Sequence, residues 1–251
     1  MISAFSGWEF LINSDMSNEW FQFKQFMIRQ DRTAMKVGTD GVLLGAWAGS
    51  GWLLNILDIG TGTGLIALMM AQRFPGARID ALEIDPVSSG QAAENASASP
   101  FARRISIFNA DFVTWEAEKK YDLIVCNPPF FKDSLQSPDA GRTAARHEDL
   151  LPLSDLIRKS AGLLFPDGGL ALIIPVDRLP EVAKVALETG LNLNRILRIK
   201  GTPSVPVKRV LIHLDKKFLP VEMGELTLEG EERGSASEEY GRLTQEFYLE
   251  K

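Results

Sequence analysis

The chain is poor in the residues that build covalent frameworks and metal cages. Its 251 residues hold one cysteine, Cys126, so no internal disulfide can form and a reducing compartment is expected. Two histidines, His147 and His213, stand far apart, so no Cys/His set can close around zinc and no metal is expected. No apolar run approaches the roughly 18 residues of a membrane span. There is no basic start followed by an apolar core and a small-residue cleavage site. The cytoplasm is therefore the expected location. Internal repeats are also missing, and Cys126 reads as a core residue rather than a nucleophile.

An excess of positive charge is missing too. The formal net charge of −6 argues on its face against a nucleic-acid partner. The distribution changes that reading. Residues 221–251 carry nine Glu against Arg233, Arg242 and Lys251, which leaves the rest of the chain balanced. Within that balance, residues 192–217 carry Arg195, Arg198, Lys200, Lys208, Arg209, Lys216 and Lys217 against Asp215 alone, a local net of +6. A phosphate backbone responds to a local patch rather than to the whole-protein sum. The plainer reading of the same stretch is a solvated strand pair. The nine Glu would repel RNA if free, so the tail is expected to dock away from any RNA-binding face. Leu226, Leu228, Leu243, Phe247, Tyr248 and Leu249 give it the means to dock.

Apolar runs and turn signals alternate along the chain. Residues 1–15 show no clear period and read as a leader outside the fold, with Met16 opening one domain that runs to residue 251. Residues 21–28, Phe-rich with polar residues between, read as a strand or hairpin. A short buried helix is expected over 41–47. Strands are expected over 53–59, 78–84, 105–109, 122–126, 170–174, 193–199 and 207–214. Helices are expected over 65–74, 87–97, 154–165 and 179–188, the third stopped by Pro166-Asp167-Gly168-Gly169. Alternating strands and helices predict an α/β fold with a mostly parallel, seven-stranded sheet and helices on both faces. The last two strands lack a helix between them and should form an antiparallel pair at one edge.

The sharpest local feature is Asp58-Ile59-Gly60-Thr61-Gly62-Thr63-Gly64, which ends the first long strand and opens a helix. Glycines there permit positive φ and let a ligand lie against the backbone, at the strand ends where open α/β sheets bind ligands. Glu83 ends the next strand, where a carboxylate can take two ribose hydroxyls. Asp111, after the third strand, can accept from an adenine amine, with Phe112 packing on the ring. A nicotinamide dinucleotide is the main rival. Its fingerprint wants G-x-G-x-x-G, whereas Leu65 and Ile66 follow Gly64 here. Asp58 also suits an ammonium group better than a pyrophosphate. An adenosyl ligand with an amino-acid tail fits better.

The fourth long strand ends in Asn127-Pro128-Pro129-Phe130. An exocyclic amine conjugated to a ring is a poor nucleophile. The Asn127 side-chain oxygen and the Pro128 carbonyl can accept its hydrogens, favour a pyramidal nitrogen and aim its lone pair, while two prolines fix the turn. Phe130 offers a face on which a flipped base stacks. Residues 131–151 show no period, and loops of that length are usually functional or disordered. Their Arg142 and Arg146 can hold phosphates, and His147 is expected to position the loop.

The Gly-rich turn resembles the first motif of class I (Rossmann-like) S-adenosylmethionine-dependent methyltransferases. The Asn127–Phe130 tetrapeptide resembles that of enzymes modifying planar nitrogens. Upstream, Gln30-Asp31-Arg32-Thr33-Ala34-Met35-Lys36-Val37-Gly38-Thr39-Asp40-Gly41-Val42-Leu43-Leu44-Gly45-Ala46-Trp47 resembles the N-terminal signature of the bacterial valine-tRNA adenine-37 N6-methyltransferases. The likeness covers most of residues 21–248, including Ala145-Arg146-His147 and the tail; Phe130 stands where that family often has Tyr. The resemblance implies S-adenosylmethionine as cofactor and tRNA, through the valine anticodon arm, as partner; the sequence leaves the oligomeric state open, with a monomer favoured. It further implies that Gly38, Thr39 and Asp40 close over the methionine end. Asp58, Gly60, Gly62, Gly64 and Asn127 would line the cofactor. Asn127, Pro128 and Phe130 would act on the base. Arg142, Arg146, Arg195, Arg198, Lys208 and Arg209 would meet RNA. A ribosomal-RNA guanine N2-methyltransferase, a release-factor glutamine methyltransferase and a non-catalytic cofactor-binding RNA scaffold stay open as alternatives. The second normally carries a helical N-terminal domain for which the chain has no room, and an intact Asn127 argues against the third.

Overall fold

Strands covered on both faces must be apolar on both, whereas a strand with one wet face alternates. The central runs of this chain are of the first kind, and in the computed structural model, which describes residues 19–33, 35–129, 151–230 and 234–249, they form the middle of a sheet. A two-stranded antiparallel hairpin comes first, β1 (Trp20–Gln22) and β2 (Met27–Arg29). The main sheet follows with β3 (Asn55–Ile59), β4 (Arg78–Glu83), β5 (Ile105–Asn109), β6 (Tyr121–Cys126), β7 (Leu164–Pro175), β8 (Asn192–Lys200), β9 (Arg209–Asp215) and β10 (Glu222–Thr227). Its order is β10-β8-β9-β7-β6-β3-β4-β5. All neighbours are parallel except β7–β9 and β8–β9. The helices are α1 (Thr39–Trp47), α2 (Leu65–Arg73), α3 (Pro86–Ser97), α4 (Leu153–Leu163), α5 (Leu179–Glu188) and α6 (Glu238–Thr244).

Side chains of β6 show how the layers form. Leu123 and Val125 join a core with residues of α1, α2 and α6, while Ile124 and Cys126 join a second core with α4 and α5. Helix starts follow local chemistry. Asp85 caps α3 by accepting the Ser88 N–H at 2.7 Å, and Pro86 occupies the first turn, where its missing N–H costs nothing.

Two expectations need correction. Among the described residues the sheet has eight strands, where seven were expected. Residues 222–227, read as part of a docked tail, pair parallel to β8 and cover the edge that the antiparallel pair was expected to form. Pro166-Asp167-Gly168-Gly169 does not separate α4 from a short strand. Instead, α4 ends at Leu163, and β7 runs from Leu164 through those residues with a register shift against β6. The glycines serve close approach: a Cβ on Gly168 would lie 2.6 Å from the Tyr121 carbonyl oxygen, and one on Gly169 2.2 Å from the His213 ring.

The tail docks on the hairpin at the other end of the chain. Tyr248 stacks on Phe23 with centroids 5.8 Å apart, the Phe247 carbonyl accepts the Lys24 N–H at 2.7 Å, and Phe247 is 2% exposed. Leu249, counted among its docking residues, is exposed. Residues 1–15 lie outside the described residues.

Candidate active site

The chain runs from β3 outward to β4 and β5, then returns to place β6 on the other side of β3. That reversal makes a switch point, where a crevice opens beyond the carboxyl ends of the strands. Register aligns those ends: Ile59 pairs with Leu82 on one side and Cys126 on the other. The next residues, Gly60, Glu83 and Asn127, therefore leave three neighbouring strands in one row.

The turn after β3 is held from below by two carboxylates. Asp58 Oδ2 accepts the Thr61 hydroxyl at 2.6 Å and the Ala67 N–H at 3.1 Å, while its buried Oδ1 meets no partner among the described residues. Burial pushes the Asp58 carboxyl up to about 7, against the opposing pull of Thr61 and Ala67 and with added repulsion from Glu83. Glu83 is buried, and its oxygens accept the Gly62 N–H at 2.8 Å and the Asp85 N–H at 3.0 Å. Gly60, Gly62 and Gly64 have φ of 69°, 56° and 85°. A Cβ on Gly60 or Gly62 would meet nothing within 4 Å, so the turn faces open space; one on Gly64 would lie 3.5 Å from Ala92 of α3.

Beyond β5, the Asn109 side-chain amide donates to the carbonyls of Glu83 and Ile84 at 2.9 and 3.1 Å. Asp111 folds its Oδ1 onto the Val113 N–H at 2.8 Å. The Phe112 ring was expected to pack on the adenine. It is 4% exposed, inside the second core, with the Lys159 ammonium 5.1 Å from its centroid. The exposed apolar side chain directly after Glu83 is Ile84, which carried no motif signal in the sequence.

On the other side of β3, Asn127 is half-buried and Pro128 buried. Cys126 is fully enclosed and burial raises its thiol, which suits a core residue. Phe130, Arg142, Arg146 and His147 lie outside the described residues.

Gly38, Thr39 and Asp40 open α1, whose Gly41 lies against Leu65, the residue after Gly64; a Cβ on Gly41 would be 3.0 Å from the Leu65 side chain. The N-terminal signature thus abuts the Gly-rich turn. Asp40 and Arg209, assigned from sequence to opposite duties, pair with each other at 3.1 Å.

The basic stretch does not form one surface. Arg195 and Arg198 are three residues apart on a strand and point to opposite faces. Arg195 sits mid-sheet, in the row of Asp58, with its guanidinium 4.5 Å from the Trp47 ring centroid and 3.5 Å from Glu222. Arg198 and Lys200 both pair with Glu225, at 3.9 and 2.8 Å. The acidic tail, expected to dock away from any RNA-binding face, lies beside the basic strand, where Glu222 and Glu225 offset part of its charge. Lys208 and Arg209 stand at the carboxyl end of the sheet, where the Lys208 carbonyl accepts the Val176 N–H just after β7 and Lys208 is exposed.

Among the described residues no cluster of three His, Cys, Asp or Glu could hold a metal ion, and no helix is long and apolar enough to cross a membrane. A family model, the methyltransferase small domain, matches residues 50–179. Three curated relatives share one name, tRNA1(Val) (adenine(37)-N6)-methyltransferase. That of Parabacteroides distasonis is 47% identical over 239 residues, covering 93% of this chain and 99% of its own. Those of Bacteroides thetaiotaomicron and Trichodesmium erythraeum are 47% and 45% identical over the same shares. Among solved structures, a predicted O-methyltransferase from Agrobacterium tumefaciens superposes with a TM-score of 0.62 at 19% identity, covering 83% of this chain and 96% of its own. A ribosomal protein L11 methylase from Lactobacillus delbrueckii does so with 0.55 at 19%, covering 76% and 84%. These two share the fold.

Proposed function

The chain belongs to the tRNA1(Val) (adenine(37)-N6)-methyltransferase family, and from that premise we propose that it transfers a methyl group from S-adenosylmethionine to N6 of adenine 37 in tRNA1(Val). The observation that carries this reading is the row made by Gly60, Glu83 and Asn127, which brings a cofactor-type turn beside an amine-accepting turn. A cytoplasmic location goes with that substrate.

The residues around the turn fit an adenosyl ligand with an amino-acid tail. Open space above Gly60 and Gly62 leaves room against the backbone. The unpartnered, buried Asp58 Oδ1 suits the ligand's ammonium group. Each Glu83 oxygen accepts one N–H and keeps a lone pair for a ribose hydroxyl. Asp111 keeps Oδ2 for an adenine amine, since Oδ1 is committed to Val113. Gly38, Thr39 and Asp40 border the methionine end. Bound S-adenosylmethionine supplies an electrophilic methyl group on sulfur.

Asn127 and the Pro128 carbonyl act on the other partner. Accepting the two N6 hydrogens draws the nitrogen out of conjugation and directs its lone pair at the methyl carbon. Asn127 and the Pro128 carbonyl would keep that nitrogen in place while it took the methyl group, and the proton that alkylation makes acidic would pass to water. Strong general base catalysis is not called for, and the buried Cys126 takes no part. Phe130, two residues beyond Pro128, would supply a ring face for the base. Lys208 and Arg209 mark the side from which phosphates approach.

Nucleoside mass spectrometry of a tRNA1(Val) transcript treated with the protein and S-adenosylmethionine tests this. One N6-methyladenine per transcript is expected, and none when adenine 37 is replaced by guanine. Methylation that persists in the replaced transcript would overturn the site.

A further inference from the structure

Helix α3 is an unlikely place for buried amides, yet Gln91 is 0% exposed and Asn95 2%. A buried amide is costly unless its hydrogen bonds are made, and these two make theirs outside the helix. Asn95 Oδ1 accepts the Arg29 N–H at 2.9 Å. Its Nδ2 donates to the Arg29 carbonyl and to the Thr63 carbonyl, both at 2.9 Å, and Thr63 lies within the Gly-rich turn. One turn earlier on the same helix face, Gln91 Oε1 accepts the Arg32 N–H at 3.2 Å and Nε2 donates to Asp31 at 2.6 Å. Ala92 between them supports Gly64. Further along the strap, Gln30 is buried and its Oε1 accepts the Val37 N–H at 2.7 Å, one residue before Gly38. The chain segment leading to Gly38, Thr39 and Asp40 is thus tied to α3, and through Asn95 to the turn itself.

We propose that Gln91 and Asn95 are positioning residues that hold the strap of residues 29–33 and 35–38 as a wall of the cofactor site, and so set the affinity for the cofactor's amino-acid tail without touching it. The inference rests on the S-adenosylmethionine reading above. The side chains nearest the tail, Asp58 and Asp40, sit on β3 and α1; neither belongs to α3, so α3 contributes the wall's position and not its charge. The adenosine end rests on Glu83 and Asp111, which the amides do not contact.

The strap is one wall and the adenosine pocket another, so ligands with and without the tail separate the two. S-adenosylhomocysteine carries the tail and 5′-methylthioadenosine lacks it. Calorimetry with Gln91→Met and Asn95→Asp is the test, alongside thermal unfolding of each. Asn95→Asp keeps the acceptor for Arg29 but places a carboxylate against two carbonyl oxygens, and Gln91→Met keeps the shape without the bonds. Each variant is expected to bind S-adenosylhomocysteine about tenfold more weakly, the effect of losing one or two buried hydrogen bonds, and methylthioadenosine within about twofold of wild type. Gln91→Glu, which keeps the acceptor for Arg32 but sets a carboxylate against Asp31, is expected to weaken S-adenosylhomocysteine at least as much as Gln91→Met. Equal weakening of both ligands would make the amides merely structural and overturn the proposal, as would unchanged binding of both. A wild-type protein that binds neither ligand would instead overturn the cofactor reading and leave the strap as described.

Discussion

The two halves of the main sheet handle charge in opposite ways. From β6 to β5, all parallel, the important carboxylates are buried beneath a turn: Asp58 is 0% exposed and Glu83 8%. They are held by backbone N–H groups and a hydroxyl rather than by cations. From β7 to β10, where strands run both ways, the charges are partly exposed side chains that pair across strands or, for Arg209, with Asp40 of α1. Carboxylates fixed by backbone donors at strand ends are prepared for a ligand, because strand register determines where they stand. Cations spread along strands have no such fixed aim, and alternation and a docking neighbour decide which of them stay available. The proposed function puts the chemistry in the first half, and substitutions should bear that out in descending order of effect.

The largest effect is expected at Asn127. Asn127→Ala removes an acceptor whose bonds matter most as the amine becomes pyramidal, so the loss belongs in the rate of chemistry. Single-turnover methyl transfer should fall about a hundredfold or more, the scale of losing one preorganised polar contact. S-adenosylhomocysteine affinity should stay near wild type. Near-normal turnover would make Asn127 structural.

Asp58 should show itself in the pH dependence of stability. Its folded value of about 7 lies above the usual carboxylate value of 3.8, because burial disfavours the anion. Between those values the folded state holds a proton that the unfolded state has released, so stability from this group falls as pH rises through that window. A shift of about three units corresponds to at most about 4 kcal/mol. Asp58→Asn should remove that decline. Chemical denaturation from pH 4 to 8 would show it as a variant that gains on wild type as pH rises. Parallel profiles would mean that Asp58 is ionised throughout.

Glu83 is expected to matter less. Glu83→Ala unpairs the Gly62 and Asp85 N–H groups and removes the proposed ribose acceptor, so S-adenosylhomocysteine binding should weaken by roughly 1–3 kcal/mol. Calorimetry decides it, and an unchanged affinity would remove Glu83 from the cofactor site.

How much of this was legible in sequence follows the same division. The positions of Asp58, the turn glycines, Glu83 and Asn127 were readable because they lie at or close to strand ends, and strand ends are marked by apolar runs that stop. The parallel core was readable for the same reason. Composition misled in the other half. A run of seven basic residues looks like one patch in a string, but a period of two sends Arg195 under Trp47 and Arg198 to the opposite face. Residues 222–227 were read by their Glu content, which hid the strand pattern that lets Leu226 bury at 5% exposure. Gln91 and Asn95 left no signal, since an amide in a helix of small residues looks like a solvated face until the partner backbone is seen. Phe112 was read as packing on an adenine, and nothing in the motif shows that the second core holds its ring.

The smallest effects are expected on the RNA side, and they divide the basic stretch into residues that meet phosphates and residues that hold the sheet together. Lys208 is exposed at the carboxyl end of the sheet, so Lys208→Glu should weaken tRNA binding and reduce the salt slope by about one counterion. Arg195→Glu should leave the slope unchanged, because that guanidinium is spent on Trp47 and Glu222, and should instead lower thermal stability. Glu225→Gln frees Arg198 and Lys200 from their shared carboxylate, so affinity at low salt should rise slightly and the slope steepen. Salt titrations of tRNA binding by the three variants distinguish these outcomes. If Arg195→Glu flattened the slope as much as Lys208→Glu, the stretch would act as one surface despite its two faces. The pairing of β10 against β8 would then have to open when RNA binds.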